Sequence, residues 1–206
     1  DVGAPTVLRF GQKGILHYTM EARGKAAHGA HRHLGDCAVS KLAEAIYILK
    51  NEIPKIPFKM PESVRKAIDN AKEISEPIGG KGENEILKTP TINFGLIEGG
   101  INPNLIPDYA KVEGDVRTPA GLTSDEVYEY IQDLIRHIPD VTFKFRMVDE
   151  ANWSDPNHSL FEIVRKNSED VLKKDVVINY RIGASDARFY RFKGVPSINC
   201  GLTPRN

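Results

Sequence analysis

The chain has 206 residues with 28 Lys or Arg against 28 Asp or Glu, and this even mixture excludes a chain built to neutralise nucleic-acid phosphates or to lie on an anionic membrane. At 40% hydrophobic and 8% aromatic residues it has enough apolar material for a core and too much for a disordered segment. No run approaches the ~18 apolar residues of a membrane span, and the opening residues do not read as a signal peptide.

In chain order, Gly14–Arg23 alternates Leu16, Tyr18, Met20 and Ala22 against His17, Thr19, Glu21 and Arg23, the period of a half-buried strand. Residues 36–50 place Val39, Leu42, Ala43, Ile46 and Leu49 at helical spacing, with Asp36 as the expected N-cap. Residues 51–89 carry four prolines and the Gly79-Gly80-Lys81-Gly82 run around a short helix at 61–74, and are expected as a surface insertion. Alternation returns at 90–97 (Ile92, Phe94 and Leu96 on one side) and at 108–117, where Ala110, Val112 and Val116 oppose Lys111, Glu113, Asp115 and Arg117. Thr123-Ser124-Asp125-Glu126 has the form of a capping box ahead of a stripe of Val127, Tyr130, Ile131, Leu134 and Ile135. Residues 141–147 set Val141, Phe143, Phe145 and Met147 on one face of a fourth strand.

Strand, helix, strand, strand, helix, strand predicts an α+β fold of the split βαβ, ferredoxin-like kind: a four-stranded antiparallel sheet with two helices on one face, spanning 14–150. Beyond it come a helix at 159–173, strands at 176–180 and 196–200, and the turn 183–188 between them. The 151–206 stretch is too short for a core of its own; with 1–13 it is expected to belong to an incomplete α/β domain, the whole being a piece of a longer protein. Cys37 and Cys200 do not make a disulfide framework and are expected as buried small hydrophobes in a reducing cytoplasm.

Several residues could carry chemistry. His28 lies among small residues in Gly24-Lys25-Ala26-Ala27-His28-Gly29, either a projecting functional imidazole or an ordinary surface histidine. His31 and His33 follow closely, but no acid or cysteine completes a recognised ligand spacing, so a solvated loop is expected. The connector 98–107 is longer than a hairpin needs and contains Asn104, a donor and acceptor or simply a turn former. Arg117 could grip a carboxylate through paired hydrogen bonds or form a surface ion pair with Asp115 or Glu113. Gly183-Ala184-Ser185-Asp186 offers backbone amides to an anion, whereas Ser185 lacks the elbow of a serine nucleophile.

Gly3-Ala4-Pro5-Thr6 with Lys13-Gly14, then Gly24-Lys25-Ala26-Ala27-His28-Gly29, Gly99-Gly100 with Asn104-Leu105-Ile106-Pro107-Asp108, Asp115-Val116-Arg117 and Gly183-Ala184-Ser185-Asp186-Ala187-Arg188 occur in an order that resembles the zinc-dependent amidohydrolase and exopeptidase superfamily of acetylornithine deacetylase, succinyl-diaminopimelate desuccinylase, aminoacylase and carboxypeptidase G (peptidase clan MH). The resemblance covers nearly the whole chain. It implies a catalytic domain with two zinc ions, replaceable by cobalt or manganese, interrupted by a lid that dimerises. A metal-activated water would cleave an amide bond of a small carboxylate-bearing N-acyl amino acid or peptide.

By the same resemblance His28 would stabilise the oxyanion in a partner's site, Asn104 would hold the substrate, and Arg117 with Gly183, Ala184 and Ser185 would bind its carboxylate. The family's metal ligands do not occur in this sequence, and Ala4 stands where many relatives carry a ligating Glu; either Asp1 takes that role or one metal site is altered. The implied assembly is a homodimer paired through an edge strand or the first helix. Two other classes stand against this one: an inactive homologue that only dimerises or binds a ligand, favoured by Ala4, and an RNA-binding sandwich. The second fails because 108–117 lacks base-stacking aromatics and the net charge is zero.

Overall fold

A computed structural model describes residues 4–201. Two larger sheets share the chain, beside a small two-stranded ribbon. The first is three-stranded, order β8-β1-β9, from β1 (Val7–Gln12), β8 (Asn152–Trp153) and β9 (Val177–Arg181). β1 runs parallel to β9 and antiparallel to β8. Every residue of β1 is buried, the polar Arg9 and Gln12 included.

The second sheet is four-stranded and antiparallel, with β2 (Gly14–Arg23), β4 (Thr91–Gly99), β6 (Tyr109–Thr118) and β7 (Val141–Asp149) in the order β4-β6-β2-β7. This is the split βαβ order expected from the sequence, and the fold is α+β. Leu16, Tyr18, Met20 and Ala22 share one core with Val112, Val116 and Phe143 from the sheet. Leu42, Ala45 and Leu49 join it from α1 (Ala38–Glu52), and Val127, Ile131 and Ile135 from α4 (Ser124–Ile135). The Thr123–Glu126 capping box that starts α4 is present in both directions.

Alternation fails where the ladder slips. The β4–β6 register shifts between Phe94 and Leu96, so Ile92 and Phe94 pack on the core while Leu96 is 63% exposed. The β2–β7 register shifts between His17 and Tyr18, pairing Met147 with His17 and Phe145 with Tyr18, and Met147 leaves the core face. One extra residue in a strand turns every later side chain to the opposite face.

Four further expectations are corrected. Residues 51–89 are not a surface excursion: α2 (Glu62–Gly79) and α3 (Glu83–Lys88) bury Val64, Ile68, Ala71 and Leu87. Val64, Ile68 and Leu87 belong to a second core with Phe10, Phe161 of α5 (Ser159–Leu172) and Tyr180. Prolines at the ends of helices hid a long amphipathic stripe. Asp36 does not cap α1; Cys37 holds that position without a side-chain bond, and Asp36 is taken by Lys41. Residues 196–200 make only the Arg9–Asn199 bridge, because Pro196 removes a ladder donor. Cys37 is half-buried and Cys200 exposed. Among the described residues no helix is long and apolar enough to cross a membrane.

Candidate functional site

At the far end of β2 the chain enters a loop closed at its base by a two-way bridge, Lys25 N–H to Asp36 O at 2.8 Å and Asp36 N–H to Lys25 O at 2.9 Å. Gly24 makes this closure possible, since a Cβ there would lie 2.1 Å from the Asp36 carbonyl. Lys41 of α1, almost buried, ties the base to the sheet by donating to the Arg23 carbonyl at 3.0 Å, to Asp36 and to Asp140 at 3.1 Å. The hydrogen bond to Asp36 raises the Lys41 pKa above the ordinary lysine value.

Within the loop, β3 (Ala27–His28) pairs with β5 (Leu105–Ile106), setting His28 opposite Leu105. Gly29 donates its N–H to the Asn104 carbonyl at 2.7 Å. The structure thus brings His28 and Asn104, 76 residues apart in sequence (104 − 28), onto one two-stranded ribbon. The His28 ring is exposed, and its Nδ1 accepts from the Ala30 amide at 3.2 Å; a neutral imidazole so bonded carries its proton on Nε2. His31 lies tilted beside it and His33 edge-on to His31, with ring centroids 5.8 and 6.0 Å apart.

Arg117 sits at the other end of the sheet, opposite Ile15 on β2 and Thr91 on β4. Its Nε donates to Asp115 at 2.5 Å, so of the two partners open from sequence Asp115 is the one it takes, while Glu113 pairs with Lys111 and Arg146. Close by, Lys13 is fully buried and donates Nζ to the Ile86 and Thr89 carbonyls at 2.7 and 2.6 Å. Burial, helped by the Arg117 charge, pushes its pKa down to about 7.

The 183–185 turn follows β9 and leads to α6 (Ala187–Arg191). Ser185, 4% exposed, gives both its N–H and its hydroxyl to Gln12 Oε1 at 2.9 Å, and its Oγ lies 3.2 Å from Asn199 Oδ1. Its hydroxyl is occupied in holding the turn. Lys13 N–H bonds the Arg181 carbonyl at 2.9 Å, so Arg117 and the turn both border the 12–14 link between the two sheets. Gln12, Asn152, Arg191 and Asn199, which organise this region, were not singled out from sequence. No periodicity marks them, because their partners lie up to 179 residues away.

His28 and Asn104 are therefore brought together, while Arg117 stands at the other end of the sheet, the end at which the 183–185 turn is tied to Gln12. Asp1 lies outside the described residues. Among the described residues no group of three His, Cys, Asp or Glu could hold a metal ion. The described side chains do not by themselves supply a metal centre.

Residues 10–142 match the family model of the peptidase dimerisation domain, M20_dimer, which is 133 of 206 residues (142 − 10 + 1). The chain belongs to this family. Similar to this peptidase dimerisation-domain chain are a protein of Staphylococcus epidermidis named probable succinyl-diaminopimelate desuccinylase, 26% identical over 90% of this chain and 47% of its own length, and one of Aspergillus niger named probable carboxypeptidase, 30% identical over 66% and 28%. Among solved structures, the dipeptidase Dug1p of Saccharomyces cerevisiae superposes with TM-score 0.70 at 16% identity, covering 97% of this chain and 50% of that one. A Staphylococcus aureus tripeptidase gives 0.68 at 16%, covering 98% and 46%. At such identities these likenesses show the fold. The chain spans half or less of the length of these relatives.

Proposed function

We propose that this chain is the lid and dimerisation part, with flanking strands of the catalytic domain, of a metal-dependent hydrolase that cleaves an amide bond in a small carboxylate-bearing substrate. In this reading residues 14–150 are the lid, 1–13 and 151–206 belong to the catalytic domain, and the metal, zinc, is held by ligands outside the described residues. When bound, the metal supplies an activated water and a polarised carbonyl. The chain's own residues bind and orient: Arg117 and the amides of Gly183 and Ala184 take the substrate carboxylate, with Ser185, its own N–H and hydroxyl held by Gln12, fixing the turn; Asn104 holds the substrate's body, and the Nε2–H of His28 meets the oxyanion.

One observation carries the reading. His28 and Asn104 stand at one end of the lid sheet and Arg117 with 183–185 at the other, so a single chain cannot close all of them around a small molecule. A second copy can. The edge strand β4 and α1 favour the contact, with Leu96 and Ile97 63% and 64% exposed and Tyr47 of α1 71% exposed. β4 and α1 touch at Gly99, where a Cβ would lie 2.8 Å from Val39.

The test is metal content and hydrolysis of N-acetylornithine, N-succinyl-diaminopimelate and dipeptides by the protein expressed from its whole gene. The reading requires bound metal and turnover, with His28→Ala lowering kcat roughly 10²-fold at unchanged metal content, the cost of a lost oxyanion donor. Ala4 favours a second reading, an inactive homologue that only dimerises, because a methyl group supplies no metal ligand. Absence of both metal and turnover, with a dimer intact, would select it.

A further inference from the structure

The turn at 183–185 is held by an arginine that, among the described residues, has no anionic partner. Arg191 is 8% exposed. Its Nη1 donates to Asn152 Oδ1 at 3.1 Å and to Gln12 Oε1 at 3.4 Å, its Nη2 to Asn199 Oδ1 at 2.9 Å, and its Nε to the Ser197 carbonyl at 3.4 Å. All four acceptors are neutral oxygens, and among the described residues Arg191 makes no ion pair. Burial lowers its pKa to about 10, so it is cationic at neutral pH.

Gln12 is the hinge of the arrangement. It is 1% exposed, and its single side-chain oxygen accepts from Arg191 and from both the N–H and the hydroxyl of Ser185. The Tyr180 hydroxyl donates to the Gln12 carbonyl and fixes its backbone. Among the described residues the amides of Gly183 and Ala184, the next two up the turn, have no acceptor. A buried charge with neutral ligands is costly to keep, and an arginine placed so is better satisfied when an anion arrives nearby. The low dielectric between them strengthens that attraction.

We propose that Gln12 and Arg191 are positioning residues that lock Ser185 and so aim the Gly183 and Ala184 amides outward, and that the uncompensated charge of Arg191 draws a ligand carboxylate to them. The proposal rests on the reading of this turn as the carboxylate subsite, and the experiment separates the two. The ¹⁵N-labelled chain is titrated with N-acetylglycine, and with N-acetylglycinamide as the uncharged control. The readouts are the Gly183, Ala184 and Ser185 resonances and the hydrogen exchange of the Ser185 amide.

Gln12→Glu keeps an acceptor for Ser185 and gives Arg191 a counter-charge. It is expected to leave Ser185 exchange slow while weakening N-acetylglycine binding at least tenfold, an effect that a purely structural role would not produce. Arg191→Met is expected to speed Ser185 exchange tenfold or more and to lose binding, with β2 and β6 amides unchanged as the check on folding, and Arg191→Lys to restore part of the binding. Affinity within twofold of wild type in Gln12→Glu overturns the charge role, and unaltered Ser185 exchange in Arg191→Met overturns the positioning role. A wild-type chain whose turn resonances ignore N-acetylglycine overturns the carboxylate reading and the charge role with it, while the exchange measurement still decides the positioning role.

Discussion

His28 and Arg117 are separated by the whole length of one strand. Ile15 pairs with Arg117 and Arg23 pairs with Tyr109 before the chain turns into the His28 loop, and the eight residue steps from Ile15 to Arg23 (23 − 15) span ~27 Å at the usual strand rise. If both serve one active site, that site is made by two chains. Mixing His28→Ala with Arg117→Ala protein, each nearly inactive, is then expected to restore activity. Half of randomly assorted dimers are mixed, and each has one intact site of two, about a quarter of wild-type turnover. Mixtures no more active than their components would place both residues in the same chain's site or in none.

Pairing through β4 makes a second prediction. Leu96→Lys with Ile97→Lys puts charge on an exposed apolar edge, the usual device against edge-to-edge association. Sedimentation should show the wild-type dimer shifting to monomer, with far-ultraviolet circular dichroism unchanged. A double variant that remains dimeric would move the interface elsewhere.

The buried pair between Arg9 and Glu83, 3.2 Å apart and 8% and 5% exposed in their side chains, joins the helices of 51–89 to β1. Glu83 also accepts from the Ser75 hydroxyl, which in turn accepts from Asn179 at 2.7 Å. Glu83→Ala leaves a buried guanidinium unpaired and should cost roughly 3–5 kcal/mol in urea unfolding. Arg9→Met with Glu83→Leu should recover most of it. Glu62→Ala, which removes the exposed pair with Arg65, should leave the midpoint where it was.

Lys13 ties stability to pH. Its folded-state pKa of about 7 lies below the ordinary 10.5, so between those values the unfolded chain binds more protons and stability rises with pH. The gain from pH 7 to pH 9 should be at most about 2 kcal/mol. Urea unfolding of Lys13→Met at the two pH values should lose that difference; equal gains in both proteins would show that Lys13 titrates normally.

The sequence by itself determined the four strands and two helices of the split βαβ unit within 14–150, the inward face of β2, the α4 capping box and the family resemblance, because these rest on local periodicity and short motifs. It also named His28, Asn104, Arg117 and 183–185 individually. What it could not show depends on contacts between distant residues. The slips at Phe94/Leu96 and His17/Tyr18 reverse which side chains face the core, and no local pattern announces a bulge. The burial of 64–87 depends on Phe10, Phe161 and Tyr180 arriving from both ends of the chain. The ribbon that joins His28 to Asn104, and the Gln12–Arg191–Asn199 network beneath Ser185, are hydrogen bonds across long separations. Only the tertiary structure decided that the candidate residues form two groups at opposite ends of a sheet, because register and sheet order, not composition, set which ends of the strands lie together.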